Sequence, residues 1–503
     1  ERLVADPVEL LAGIAAGETD LPPEERARRE RMREGAAGIT GYSLDRAATL
    51  AAFSLGGQLF VTDLMSAAST HLDVPGPVFD PHLSPDGTQV AYVAGRELWI
   101  TDLDGAARRL ADDPVDTVSW GSADFVAAEE LHRYRGFWWS PDGTVIAACR
   151  VDDAPVHVWH ISDPADPAAE PRAVRYPAAG TPNPDVSVHL CPIDGGHRTE
   201  IAWDRDRFEY LDALHWNDHG LALTVRSRDQ RDVEVLVADP ATGATRTVRA
   251  DHDDAFVEVV IGSGVLVEPT RPVTLADRDG ARRLMIGDDA VSPDHVQIRS
   301  IVDVSDTVVT VTGIPLADTT VQHVFRWSPD GFHQATDTPG VHTAAVGGDA
   351  VAFRTATIDA PGGRWQLPNG SVLTSHAERP LVTPNVRLTA HGGQGPTTAV
   401  LLPHDHDGGP LPALLDPDGG PHGQRVAHSF NLFCASQWFA DQGFAVIVAD
   451  GRGTPGRGHA DERSIRDDLV DGVLDDQVQA LHQAAERHPE IDLDRVAIRG
   501  WSF

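Results

Sequence analysis

Hydrophobic positions along this chain follow two different rhythms. Up to about residue 375 the apolar runs are short and come in pairs separated by turn-forming residues. Thr49-Leu50-Ala51-Ala52-Phe53 and Gln58-Leu59-Phe60-Val61, joined through Leu55-Gly56-Gly57, predict a β-hairpin. Val90-Ala91-Tyr92-Val93 and Glu97-Leu98-Trp99-Ile100 repeat the pairing. Ser-Pro-Asp-Gly recurs at Ser84, Ser140 and Ser328, with a weaker Ser-Pro-Asp at Ser292, each before or between such runs. Proline at the second place and glycine at the fourth suit a type I turn. Recurring hairpins punctuated in this way predict an all-β propeller, the competing picture being two or more β-sandwiches. At roughly 40–50 residues per blade, residues 1–375 would hold roughly eight blades, the first incomplete.

From residue 376 the rhythm changes to strands alternating with helices, the pattern of a doubly wound sheet. Thr398-Ala399-Val400-Leu401-Leu402, Leu411 to Leu415 and Phe444 to Val448 read as strands. Phe430 to Asp441 and the amphipathic stretch Val473 to His488 read as helices. The last strand, Arg495-Val496-Ala497-Ile498, runs into Gly500-Trp501-Ser502. Residues 376–503 are thus expected to form the first part of an α/β-hydrolase domain.

Composition narrows the partners. The 503 residues carry 76 acidic against 41 basic side chains, a net charge of −35, and every basic one is arginine. Such a field disfavours nucleic acid and anionic membranes. Three scattered cysteines, Cys149, Cys191 and Cys434, make neither a disulfide framework nor a zinc site. No apolar run approaches the roughly 18 residues of a membrane span. A cytoplasmic location is the expectation, while export stays open because the chain starts at Glu1 rather than Met. Pro22 to Glu34, acidic and arginine-rich, reads as a helix or a solvated loop.

Two stretches carry candidate chemistry. Gly500-Trp501-Ser502 is the first half of Gly-x-Ser-x-Gly, the strand-to-helix elbow that exposes a serine nucleophile. Ser502 is then the nucleophile, and the backbone N–H of Phe503 an oxyanion donor. The second stretch is Ala127-Ala128-Glu129-Glu130-Leu131, leading into Phe137-Trp138-Trp139-Ser140-Pro141-Asp142-Gly143. Adjacent carboxylates need solvent or a cation. Fixed beside an aromatic strand, Glu129 and Glu130 suit a primary ammonium, which carries three donors.

Three further motifs are discounted. Gly451-Arg452-Gly453-Thr454-Pro455-Gly456 mimics a dinucleotide fingerprint, but contains a proline and lacks an immediate helix. His391-Gly392-Gly393-Gln394-Gly395 mimics a lipase-type oxyanion loop but lies between two strands, where a hairpin turn fits better. His404 and His406 sit in an Asp- and Gly-rich loop that reads as solvated. No cofactor or metal is called for.

Taken together, these segments resemble the dipeptidyl peptidase IV group of the prolyl oligopeptidase family, which joins an N-terminal propeller to an α/β-hydrolase domain. The most specific match is Glu129-Glu130 at fixed spacing from Trp138-Trp139-Ser140-Pro141-Asp142-Gly143. Tyr176-Pro177 with Asn183-Pro184, Tyr210-Leu211 with Trp216, Leu415-Asp416 through Gly419-Gly420-Pro421, Asp450-Gly451-Arg452-Gly453 and Gly500-Trp501-Ser502 follow in order. The resemblance implies a serine exopeptidase that releases X-Pro or X-Ala dipeptides, with the glutamate pair holding the substrate's free amino terminus. It also implies a propeller arginine on the substrate, for which several residues between Arg26 and Arg33 are candidates. A homodimeric full-length protein is left open.

The chain departs from the family at two points. Where the family has a tyrosine that donates to the oxyanion, this chain has Asp418, whose ionised carboxylate has no proton to give. The family's order Ser…Asp…His would put both partners of Ser502 beyond Phe503, so the chain is expected to be cut at both ends and without turnover as it stands. The alternatives are an acylaminoacyl-peptidase or oligopeptidase of the same fold, and a catalytically silent propeller scaffold. The glutamate pair argues against the acylaminoacyl-peptidase, because a blocked terminus offers no cation.

Overall fold

The computed structural model describes residues 2–12, 26, 38–389, 395–417 and 423–500. The chain divides into two compact units, Glu1–Val259 with Gly264–Thr270, and Val260–Ser263 with Arg271–Phe503.

In the first unit, four antiparallel sheets of four or five strands follow one another, and a separate two-stranded hairpin, Val158–Ile161 with Arg172–Arg175, interrupts the chain of the third. The first two are meanders: Ser43–Leu44, Leu50–Leu55, Gln58–Asp63 and Ala68–Leu72, then Val78–Leu83, Gln89–Ala94, Glu97–Asp102 and Ala107–Ala111. The hairpins expected around Gly56-Gly57 and at 90–100 are both present, each strand one or two residues longer than its apolar run. In the second unit the same pattern continues in sheets containing Arg271–Arg278, Val296–Val304 and Val341–Gly347. This succession is the β-propeller that the sequence rhythm implies. Seven such sheets are present among the described residues, against the roughly eight expected.

The Ser-Pro-Asp-Gly repeat works as turn chemistry. The Ser84 hydroxyl donates to Asp86 Oδ1 (2.6 Å) and accepts the Gln89 N–H (3.0 Å), while Gly87 takes φ +72°. Ser140 does the same with Asp142 (2.6 Å) and the Val145 N–H (3.0 Å). Both turns link the first and second strand positions of their sheets. Ser328 instead closes the hairpin between His323–Ser328 and Gly331–Gln334, so the motif marks a turn and not a fixed place in a blade. Ser292 makes no such turn; its hydroxyl accepts the Leu284 N–H at 2.9 Å.

The C-terminal residues of the second unit build a mixed five-stranded sheet in the order Val386–Thr389, Thr397–Leu401, Ala445–Asp450, Leu411–Leu415, Ile491–Ile498. The first two strands pair antiparallel through Thr389↔Thr398, as a hairpin turn between them requires. The turn itself, His391 to Gln394, lies outside the described residues. The last three strands are parallel, with Leu415 level with both Ile447 and Ile498. Ala445–Asp450 is buried throughout because both of its faces are covered. Val400, Ile447, Leu415 and Leu481 form one core layer, and Ala399, Val448, Leu414 and Phe433 the other.

The expected helix at 430–441 is a 3₁₀ turn, Phe430–Phe433, running into an α-helix, Cys434–Ala440. The amphipathic stretch is a helix over Asp471–Arg487. The final strand starts earlier than expected, at Ile491, because a register shift between Pro412 and Ala413 lets Asp492 pair before the irregularity. Among the described residues, no helix is long and apolar enough to cross a membrane.

Candidate active site

The glutamate pair sits on a chain excursion that interrupts a strand. Val118–Trp120 and Phe137–Trp139 both pair antiparallel with the same strand, Val145–Asp152: Trp120 with Arg150, and Phe137 with Ala148. They occupy one strand position in two halves. The chain leaves the sheet at Gly121 and returns at Gly136, and Cys149 between the halves bonds both: its carbonyl accepts the Gly121 N–H (2.9 Å) and its N–H donates to the Gly136 carbonyl (2.8 Å). At this neck the two backbones almost touch. A Cβ on Gly136 would lie 2.4 Å from the carbonyl carbon and oxygen of Gly121, so only glycine fits.

Within the excursion Phe125–Glu129 forms a short helix. Asp124 caps it, accepting the Ala127 N–H at 3.0 Å, and Glu130 closes it with its N–H on the Val126 carbonyl. Ala127, Ala128 and Leu131 face the core, whereas Glu129 and Glu130 are exposed. The aromatic strand that follows, Phe137–Trp139, is wholly buried.

The chain then turns inward through His132, at φ +56°, and buries the Arg133 side chain. That guanidinium bonds Asp124 Oδ2 (3.0 Å), the Leu211 carbonyl (3.0 Å) and the Arg135 carbonyl (2.9 Å). The Asp124 cap could have been read from its place before the helix. No sequence signal indicates its pairing with Arg133.

The second group of candidates belongs to the parallel strands. Asp418, Ser502 and Phe503 lie outside the described residues, but the strands leading to them are adjacent and level: the Arg499 N–H donates to the Leu415 carbonyl at 3.0 Å. Buried Asp416, at the end of the Leu411–Leu415 strand, accepts Ser436 Oγ (2.7 Å) and Arg425 Nη2 (3.0 Å) and lies 3.4 Å from Arg499 Nε. The Arg499 guanidinium also stacks 4.4 Å from the Phe439 ring. Buried Asp450 ends the neighbouring strand and accepts the N–H groups of Arg425 (3.0 Å) and Val426 (2.8 Å). Burial pushes its carboxyl up to about 6, against the pull of those two N–H groups and of Arg425 and Arg457. These two aspartates fix the chain on either side of residues 418–422.

The Gly451 to Gly456 loop offers no phosphate cradle. Its Arg452 N–H donates to Asp476 Oδ2 (2.6 Å), and Arg452 Nη2 to Asp476 Oδ1 (2.8 Å), so an internal carboxylate already occupies the place of an anion. His404 Nδ1 lies 2.9 Å from Asp441, and no metal-binding cluster is present among the described residues. Of the arginines between Arg26 and Arg33, only Arg26 is described, and it is exposed.

Residues 49–331, more than half of the chain, match the family model for the dipeptidyl peptidase IV (DPP IV) N-terminal region. Residues 430–503 match that of the prolyl oligopeptidase family. The chain belongs to the dipeptidyl peptidase IV group of the prolyl oligopeptidase family. Among curated members, a probable dipeptidyl-aminopeptidase B of Emericella nidulans is 24% identical over 490 residues, covering 84% of this chain and 53% of the relative. Human dipeptidyl peptidase 8 is 22% identical, covering 95% of this chain and 68% of the relative. The crystal structure of Porphyromonas gingivalis dipeptidyl peptidase 4 superposes with a TM-score of 0.77 at 19% identity, over 94% of this chain and 73% of that one, which establishes the shared fold. The chain spans about half the length of several of the curated relatives it matches.

Proposed function

We propose that the full-length protein is a serine exopeptidase that releases X-Pro or X-Ala dipeptides from free amino termini. The observation carrying this reading is the presentation of Glu129 and Glu130. They are exposed neighbours at the end of a capped helix, on an excursion whose neck admits only glycine. Two carboxylates held this way match the three donors of a peptide's terminal ammonium. That contact would leave the carbonyl of the second residue as the point of cleavage.

In this reading Ser502 Oγ attacks that carbonyl while a histidine base takes its proton. The tetrahedral oxyanion is held by the Phe503 N–H. The C–N bond then breaks, the leaving amine receives the proton, and water hydrolyses the acyl-enzyme to free the dipeptide. Asp418 favours a second reading, a silent scaffold, because a carboxylate at the oxyanion would oppose the reaction.

Two finer points belong to the proposal. A homodimer would use the hairpin Val158–Ile161 with Arg172–Arg175, where Trp159 is 52% and Ile161 51% exposed. A cytoplasmic location accords with three free thiols.

The test compares Ala-Pro-p-nitroanilide with its des-amino analogue in the full-length protein. Ser502→Ala should abolish turnover of both. Glu130→Ala should lower kcat/KM for the free-amine substrate by roughly 10–100-fold more than for the analogue. Equal losses would make the pair merely structural, and no turnover at all would favour the scaffold.

A further inference from the structure

The helix that presents the glutamates is too short to hold its shape unaided. Five residues give barely one turn, and isolated helices need roughly 12–15 residues even for favourable sequences. The glycine neck joins the excursion to its sheet but does not fix how the helix is turned upon it. The side-chain hydrogen bonds that tie it down run through two residues, Asp124 and Arg133.

We propose that Asp124 and Arg133 are positioning residues that set the orientation of Glu129 and Glu130 toward the substrate's amino terminus; this rests on the function proposed above. Asp124 precedes the helix and Arg133 follows the glutamates, and their ion pair at 3.0 Å closes the segment into a ring around Glu129-Glu130. The same carboxylate caps the helix through its other oxygen, so the cap and the closure share one residue. Arg133 then ties the ring outward, with Nε on the Leu211 carbonyl in the first strand of the next sheet. Its backbone N–H adds a bond to the Ala127 carbonyl at 2.9 Å, inside the helix. The planar guanidinium reaches acceptors before the helix, after it and on a neighbouring sheet at once, and an ammonium could not match this fork. Both partners are buried, at 5% and 7% exposure, so the pair is shielded from salt and rigid. Buried in this way, the pair is not itself offered to the substrate and acts only through the carboxylates it orients.

Removing one partner would strand a buried charge, which alone can unfold the segment. The informative variant is therefore Asp124→Asn with Arg133→Met, which keeps a helix-capping side chain and removes both charges together. Two readouts are taken. Amide hydrogen exchange of the present chain should accelerate across residues 125–133, with the melting transition otherwise retained. In the full-length protein, the preference for Ala-Pro-p-nitroanilide over its des-amino analogue should fall roughly tenfold, since a small misplacement of a binding group costs on that order. Glu130→Ala is run alongside. A preference that responds to Glu130→Ala but not to the double variant overturns the positioning role and leaves the proposed function standing. If Glu130→Ala itself leaves the preference unchanged, the proposed function falls and the positioning role with it.

Discussion

Glu462 and Arg282 meet at 2.8 Å with both side chains about 5–6% exposed, joining the helix His459–Arg463 to the strand Ala281–Ile286 far earlier in the chain. The other Glu462 oxygen accepts from Gln297 Nε2 (3.1 Å) and the Gly456 N–H (3.0 Å), and one residue on Arg463 pairs with Asp277 at 2.7 Å. Burial alone would raise the Glu462 pKa, but Arg282, the Gly456 N–H and Arg299 outweigh it and hold the carboxyl below its usual range. Its stabilising contribution is present above the ordinary glutamate pKa and is lost as pH falls through the depressed value.

Glu462→Ala should therefore destabilise the protein by about 3–5 kcal/mol, because Arg282 loses its closest partner in a buried site. Denaturant unfolding measures this. Adding Arg282→Met should recover much of the loss, and a double variant no better than the single one would show that the pair is not the source of the cost.

The excursion neck gives a sharper steric test. Gly136→Ala places a methyl group 2.4 Å from the backbone of Gly121, where no flexible side chain can yield. The cost should be at least about 1–3 kcal/mol in thermal unfolding. Gly347→Ala, where a Cβ meets nothing within 4 Å and where, as at Gly136, the backbone has no positive φ, is a control for the glycine change itself. Comparable losses at the two sites would mean that the close approach at Gly136 relaxes.

What the sequence makes legible is local. The turn at Ser84 is readable because serine, proline, aspartate and glycine each supply a piece of it. At Ser227 the same geometry recurs, with the hydroxyl on Asp229 (2.6 Å) and accepting the Asp232 N–H (3.0 Å), yet neither proline nor glycine advertises it. Gln230 takes φ +63° in the glycine's place. Glu129-Glu130 and Gly500-Trp501-Ser502 were visible as sequence motifs. The ion pairs Asp124–Arg133, Asp416–Arg499 and Glu462–Arg282 were not, because each depends on how the chain folds back and which segments then meet. The split strand around Gly121 and Gly136 was hidden for the same reason: its two halves are recognised only by their common partner, Val145–Asp152.

Asp450 supplies a pH dependence of opposite sign to that of Glu462. Its pKa is raised by burial to about 6, so its protonated form favours the fold. The stability it confers is complete below the ordinary aspartate pKa of about 3.9 and is lost as pH rises to about 6, amounting to about 2–3 kcal/mol. Unfolding free energies followed from pH 4 to 7 should show this decline, and Asp450→Asn should flatten it. A wild-type slope that persists in the variant would assign the effect to the net charge of the acidic surface instead.

Asp418 carries the last prediction, because it decides between the two functional readings. The described residues on either side of 418–422 are held by the buried aspartates 416 and 450. If the position faces the oxyanion, the native carboxylate repels the developing charge and the full-length protein should be slow at neutral pH. Asp418→Tyr should then raise kcat by roughly 10²-fold or more with little change in KM, since a restored hydroxyl acts mainly on the transition state. Asp418→Asn, which removes the charge and supplies a weaker donor, should fall between the two. Mild acid would also neutralise the carboxylate, but a histidine base loses activity over the same range, so the substitutions are the cleaner measurement. An unchanged kcat in Asp418→Tyr, with Ser502→Ala inactive, would mean that position 418 does not face the oxyanion. The silent-scaffold reading would then lose its one supporting residue.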